Sequence, residues 1–211
     1  MSNYEQTERY FNAKEFLEFI EVESKKPGNE NTRYELINGQ IYMMASPNII
    51  HHDLSEFIED KLKDYFLDKG CRVFRAPVDL YLFDKKHFAL FGLAKTEIGN
   101  VLIPDLMVVC DKTKIKRDGV HGAPDFIVEV VSESNAINDY VRKLNAYLMF
   151  GVSEYWIADP IKKKVIVYSN TSNDKFVFRD YALTNIVNSE IFNDLSIDFN
   201  QFVWPEFEED N

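Results

Sequence analysis

Two apolar stretches carry carboxylates where sheet interiors are expected. Val101–Asp111 reads VLIPDLMVVCD and Ala123–Ser134 reads APDFIVEVVSES, with Asp105 interrupting one run and Glu129 the other. Burying an ionised carboxylate costs on the order of several kcal/mol unless a cation or metal ion pairs with it. Strand alternation puts Ile127 and Val131 on the Glu129 face and Val128 and Val130 on the other, so neither face reads as solvent. On neighbouring strands the two carboxylates would meet and bind a hard divalent cation, Mg²⁺ or Mn²⁺. The alternative is that Asp105 begins an exposed strand end and Glu129 pairs with a structural Arg or Lys. Asp139, Lys143 and Tyr147 follow at spacings of four, which places them on one helix face. Lys143 is then either half of an exposed Asp–Lys pair or a cation aimed at the carboxylates, where it would stabilise charge developing at phosphorus or orient an attacking water.

The elements that must hold these residues follow from periodicity and turn chemistry. TERYFNAKEFLEFIEVES spaces Phe11, Phe16, Phe19 and Ile20 as a helix. RYELINGQIYMMA is a hairpin about Asn38-Gly39. Ser46-Pro47-Asn48 opens an amphipathic helix that ends near Gly70. CRVFRAPVDLYLF reads as one strand, 85–100 as a loop or excursion, and 101–110 and 125–131 as strands joined by the loop KTKIKRDGVHGAP. A helix from Asn135 to Phe150 has Ile137, Val141, Leu144, Tyr147 and Leu148 as its apolar face and Gly151 as its stop. EYWIADPIKKKVIVYSN is a second hairpin, and the remainder reads as short strands and turns. The order predicts a mixed α/β domain with one central sheet flanked by helices.

The 211 residues, 45% hydrophobic and with net charge −11, fit a single domain over 1–211, with a core at 33–170 and an acidic tail at 200–211. That charge speaks against a broad nucleic-acid surface while leaving room for a local basic groove or a carboxylate-rich site. The best basic clusters are Lys112, Lys114, Lys116 and Arg117, and Lys162, Lys163 and Lys164; solvated turns are the alternative. No stretch reaches the roughly 18 apolar residues of a membrane span, and the N-terminus lacks a signal-peptide pattern, so a cytoplasmic location is expected. Cys71 and Cys110 form no CxxC pattern and read as small buried residues rather than as a disulfide or zinc site.

RYELINGQIYMMASP, IPDLMVVCD, GAPDFIVEVVSES, the Asp139–Lys143–Tyr147 spacing and GVSEYWIADP together resemble the Uma-two family, described as putative restriction endonucleases within the PD-(D/E)XK nuclease superfamily. The resemblance spans roughly residues 33 to 170. It implies a restriction-endonuclease-like fold, with Asp105 as the Asp of the first element and Glu129 as the acid of the second. The superfamily's usual lysine would stand at 131, where this chain has Val131; Lys143 of the next helix is the matching position. Asp105 and Glu129, with the Val130 carbonyl, would hold the metal, and Lys143 would support the water. Glu35 and His51 match further positions and would line the same pocket, with Asp139 and Tyr147 nearby. Glu35 reads equally as an exposed hairpin residue, and His51 as a helix-surface histidine. Ser132-Glu133-Ser134-Asn135 departs from the family's Ser-Pro-Ser-Thr, and the 85–100 segment is longer than usual and would cap the cleft.

The expectation is a Mg²⁺- or Mn²⁺-dependent DNA endonuclease, a homodimer suiting a two-strand cutter. The alternatives are a nuclease-like module that binds without cutting, favoured by the charge and by Val131, and a hydrolase of a small phosphoester.

Overall fold

Caps and tight turns start the first elements. The Asn12 side chain accepts from the Glu15 N–H while the Glu15 carboxylate accepts from the Asn12 N–H, a capping box that opens α1 (Ala13–Glu23). Asn38 and Gly39 both take positive φ, as a two-residue hairpin turn requires, and join β1 (Tyr34–Ile37) to β2 (Gln40–Met43). The Asn48 side chain accepts from the His51 N–H and caps α2 (Ile49–Phe66). The computed structural model describes residues 9–83, 99–133, 136–171 and 175–207. Most of the 85–100 segment, with its expected role over the cleft, lies outside the described residues.

Two stretches expected as single strands are each broken at a proline. One becomes β3 (Arg72–Arg75) and β4 (Leu80–Leu82), on either side of Pro77. The other becomes β5 (Asn100–Leu102) and β6 (Leu106–Val109), on either side of Pro104. Proline has no N–H to give a ladder, so pairing stops there. KTKIKRDGVHGAP, expected as a loop, holds a 3₁₀ turn (Lys112–Lys114) and a small hairpin, β7 (Ile115–Lys116) with β8 (Gly119–His121). β9 (Phe126–Val130) leads into a helix with a π turn (Asn138–Lys143) that continues as α3 (Leu144–Phe150) and closes at Gly151 in the left-handed region. β10 (Glu154–Asp159) returns parallel to β9, and the expected hairpin pairs it with β11 (Lys164–Thr171). β12 (Lys175–Ala182) is longer than the short strands expected there; β13 (Ile186–Asn188) and β14 (Ser196–Asp198) form a small third sheet.

The α/β class is as expected, but the strands divide between two large sheets instead of one. The first runs β2-β1-β5-β4-β8-β7 and the second β12-β11-β10-β9-β6-β3. Each proline-broken stretch gives one strand to each sheet, which is why neither reads as a simple strand. Leu80, Leu102 and Val120 of the first sheet pack with Met107, Ile127 and Ile157 of the second, and Ala146 and Tyr147 of α3 join them. Phe126, Val128 and Trp156 line the opposite face of the second sheet under Leu54, Ile58 and Leu62 of α2. Phe16 of α1 covers the outer face of the first sheet at Leu36 and Val101.

Two further expectations are overturned. Ile137 and Val141 are 58% and 48% exposed rather than part of an apolar face. An α-helical period does not apply across a π turn, whose extra residue rotates these positions outward. Cys71 and Cys110 are disulfide-bonded rather than separate buried residues. Arg72 lies opposite Val109 in the β3–β6 ladder, so the next pair outward is Cys71 and Cys110, a proximity invisible at a separation of 39 residues. Among the described residues, no helix is long and apolar enough to cross a membrane.

Candidate active site

Strand register brings the first two carboxylates together. Leu106 pairs with Val128 in the antiparallel β6–β9 ladder, so Asp105 falls opposite Glu129, beyond the last pair. The Asp105 carbonyl accepts from the Ala76 N–H at 3.0 Å, which fixes its backbone against the end of β3. Its Oδ2 accepts from the Val130 N–H at 2.7 Å and lies 3.1 Å from His51 Nε2, in the first turn of α2. Glu129 sits near the carboxyl end of β9, on the face turned toward the first sheet, and is buried. Such strand ends in parallel α/β pairs are where ligands bind.

The helix after β9 supplies the cation. A step of four residues overshoots a full α-helical turn by about 40°. The wider π turn makes the step from Asp139 to Lys143 fall short of a full turn, and the α-helical step from Lys143 to Tyr147 overshoots. The two deviations offset each other, so all three side chains point to the same place. Lys143 Nζ lies 3.1 Å from Glu129 Oε1, 3.1 Å from Glu35 Oε1 and 3.6 Å from Asp139 Oδ1. The Tyr147 hydroxyl donates to Glu129 Oε1 at 2.6 Å, and the Tyr155 hydroxyl donates to the Asp139 carbonyl at 3.0 Å. Glu35 comes from β1 in the first sheet, and its Oε1 also accepts from the Ile103 N–H at 2.8 Å. It is buried, not an exposed hairpin residue. Val131, in the position of the superfamily's lysine, packs in the inter-sheet core.

Four carboxylates thus face one lysine and one histidine. Burial, reinforced by Asp105, Asp139 and Glu35 and opposed by Lys143, holds the Glu129 carboxyl well above the usual carboxylate range. Burial also pushes Asp139 up to about 7, against the pull of Lys143. Burial works against a charged Lys143, yet Glu129, Glu35 and Asp139 outweigh it and hold its pKa well above the ordinary value. Asp105 goes the other way: burial would raise it, but His51, Lys143 and the Val130 N–H together lower it. Burial likewise opposes a charged His51, and Asp105 more than offsets that.

The donor set suits a hard cation. Among the described residues, no hydrogen bond reaches Asp105 Oδ1 or Glu129 Oε2. Two carboxylates with waters filling the other positions are how Mg²⁺ is usually bound. Among the described residues, no three His, Cys, Asp or Glu side chains form a complete ligand set.

Asp105, Glu129, Val130, His51, Glu35, Asp139 and Lys143 all line one cavity of about 700 Å³. Tyr147 lies behind Glu129. The structure does not bring Lys112, Lys114, Lys116 or Arg117 to this wall: Lys114 donates to the Ala123 carbonyl at 2.8 Å, and Lys116 and Arg117 line a separate cavity of about 400 Å³. Lys162 and Lys163 lie over the Tyr140 and Trp204 rings, and Lys164 lies 3.4 Å from Asp180. Arg33, Ser132 and Asn138 also line the large cavity and are missed by sequence reasoning. Arg33 is the most legible of these, since alternation puts it on the Glu35 face.

A family model described as "Uma2: Putative restriction endonuclease" matches residues 14–200. The chain belongs to this family. Its fold is also that of a solved structure, the crystal structure of a putative nuclease belonging to DUF820 from Anabaena variabilis ATCC 29413. That likeness has a TM-score of 0.64 at 17% identity and covers 90% of this chain and 95% of that one. A stretch of 124 residues, 56% of this chain, is 30% identical to a phosphoglucosamine mutase from a Nitratiruptor species, of which it spans only 26%. Family and fold together support a nuclease.

Proposed function

We propose that the chain is a Mg²⁺- or Mn²⁺-dependent endonuclease that hydrolyses phosphodiester bonds in DNA, with Asp105, Glu129 and Lys143 at its centre. The observation that carries this reading is the meeting of four carboxylates in one cavity: Glu35, Glu129 and Asp139, from the two sheets and the π turn, around Lys143, and Asp105, from the link between the sheets, beside His51. That excess of acid over base is what a divalent cation would relieve.

Asp105 and Glu129, with the Val130 carbonyl, would hold the metal. Once bound, it would lower the pKa of a coordinated water and screen charge developing on the phosphate. His51 and the Val130 N–H fix one oxygen of Asp105, and Tyr147 and Lys143 fix one oxygen of Glu129, so each carboxylate is held while its second oxygen has no described partner. Glu129, Glu35 and Asp139 surround Lys143 and hold its pKa above the ordinary lysine value. In that charged form it would serve as a hydrogen-bond donor that orients the attacking water.

Cleavage of plasmid, single-stranded DNA and RNA, with Mg²⁺ or Mn²⁺ against EDTA, tests the proposal. Metal-dependent cleavage lost in Asp105→Ala supports it. No metal-dependent activity on any of these substrates, with Asp105→Ala indistinguishable from wild type, would sink it. One observation favours a module that binds without cutting: Lys143 already occupies the gap between the carboxylates. Calorimetric titration with Mn²⁺ separates the two. Binding that Glu129→Ala abolishes supports the enzyme, and no binding at millimolar metal supports the module.

A further inference from the structure

Two side chains on the cavity wall carry hydrogen-bond donors that have no acceptor among the described residues. Asn138, the first residue of the π turn, is only 6% exposed. Its Oδ1 accepts from Arg142 Nη1 at 2.6 Å, and this contact orients the amide. Arg142 is itself placed over the Tyr42 ring, 4.6 Å from its centroid. The Nδ2 group is thus the free half of an oriented amide that lines the cavity, and among the described residues it has no partner. A donor held in this way is set up for an acceptor that the described residues do not supply. Arg33 stands exposed at the rim of the same cavity, and no ion pair or hydrogen bond of its guanidinium is found among the described residues. The Met44 N–H donates to the Arg33 carbonyl at 2.8 Å, extending the β1–β2 pairing and fixing this backbone. The carboxylates Glu35, Asp105, Glu129 and Asp139 are already engaged by Lys143, His51 or a backbone N–H.

We propose that Asn138 and Arg33 form the subsite that holds a phosphodiester of the substrate, Asn138 Nδ2 donating to a non-bridging oxygen and the Arg33 guanidinium pairing with the phosphate charge at the rim. This rests on the nuclease reading and deepens it. An anionic backbone approaching four carboxylates is repelled until positive charge offsets them, and Lys143 is committed to those carboxylates. Arg33 is the other Lys or Arg on the described wall, and its planar fork matches a phosphate. Asn138 adds a donor at fixed position, with no added charge near the metal ligands.

Asn138→Asp tests the idea, because it keeps an oxygen for Arg142 and replaces the free donor with an acceptor. With Mn²⁺ and an oligonucleotide substrate, KM should rise at least about tenfold while kcat stays within about threefold; Arg33→Gln should raise KM and lower the salt dependence of binding by about one phosphate contact. Arg33→Lys should recover part of the loss. Asn138→Ala checks that an added charge is not the cause. A purely structural role would lower the melting temperature and leave KM unmoved, and that result overturns the proposal. If the wild type does not cleave, anisotropy of a labelled oligonucleotide in Ca²⁺ decides. Binding weakened tenfold by Asn138→Asp supports the subsite although the cleavage reading has failed. Wild-type cleavage with KM unchanged in both variants removes the subsite and leaves the nuclease standing, and a wild type that neither cleaves nor binds removes both.

Discussion

Asp139→Asn isolates the electrostatic cost of the cluster. The Asp139 carboxyl moves from 3.8 when unfolded to about 7 when buried among the other acids, a difference of about 4 kcal/mol at most. The folded-state pKa is the higher one, so the folded protein holds this proton more tightly than the unfolded chain. Its contribution to stability is present at the acid end, declines as pH rises from about 4, and is gone above about 7. Asparagine does not titrate, so the variant escapes this loss. In EDTA, the melting temperature of the variant minus that of wild type should therefore climb between pH 4.5 and 7.5 and then level off. For a chain of this size the climb is about 8–16 °C if the whole difference is expressed, and less where Lys143 or the neighbouring acids readjust. Saturating Mn²⁺ should flatten the curve, since a bound cation lowers the Asp139 pKa as well. Thermal unfolding followed by circular dichroism gives both curves. A difference that is constant with pH, or that grows toward acid, would refute the assignment of Asp139 as a carboxylate strained by burial.

Three further outcomes are expected. Glu129→Gln keeps an oxygen to accept from Tyr147 and Lys143 while removing a disfavoured charge, so the melting temperature in EDTA at pH 8 should rise while metal-dependent cleavage falls at least about 100-fold; a drop in both would show that the charge supports the fold. Lys143→Met strips three buried carboxylates of their shared cation and should cost about 3–5 kcal/mol, measured by urea denaturation at pH 7. Reducing the Cys71–Cys110 bond, which closes a loop of 39 residues, should cost up to about 4 kcal/mol, and non-reducing mass spectrometry of the purified chain checks that the bond forms.

What the sequence made legible was local. Asn38-Gly39 specified its hairpin because only a few residues accept positive φ at both positions. The spacing of Asp139, Lys143 and Tyr147 pointed to one face, and carboxylates inside apolar runs marked Asp105 and Glu129. Glu35 and His51 are expected only through family resemblance, since nothing in RYELINGQ or on the face of α2 shows that they converge on Lys143. The partition into two sheets was hidden because a strand broken at a proline keeps the same residue types on both sides of the break. The π turn was hidden because its sequence is compatible with an α-helix. The disulfide depends on strand register, which is a tertiary property.

The two crossings between sheets also constrain how the centre comes into being. Glu35 stands on the first sheet, Glu129 on the second, and Asp105 on the link that passes from one to the other. Neither sheet alone gathers more than a part of the set, and the contacts that hold Lys143 reach across 108 residues to Glu35 but only 14 to Glu129. Contacts of such different sequence separation form at different stages of folding, the long-range ones late. A chain released or trapped before its sheets dock therefore carries every residue of the centre but lacks the contact that brings Glu35 to Lys143.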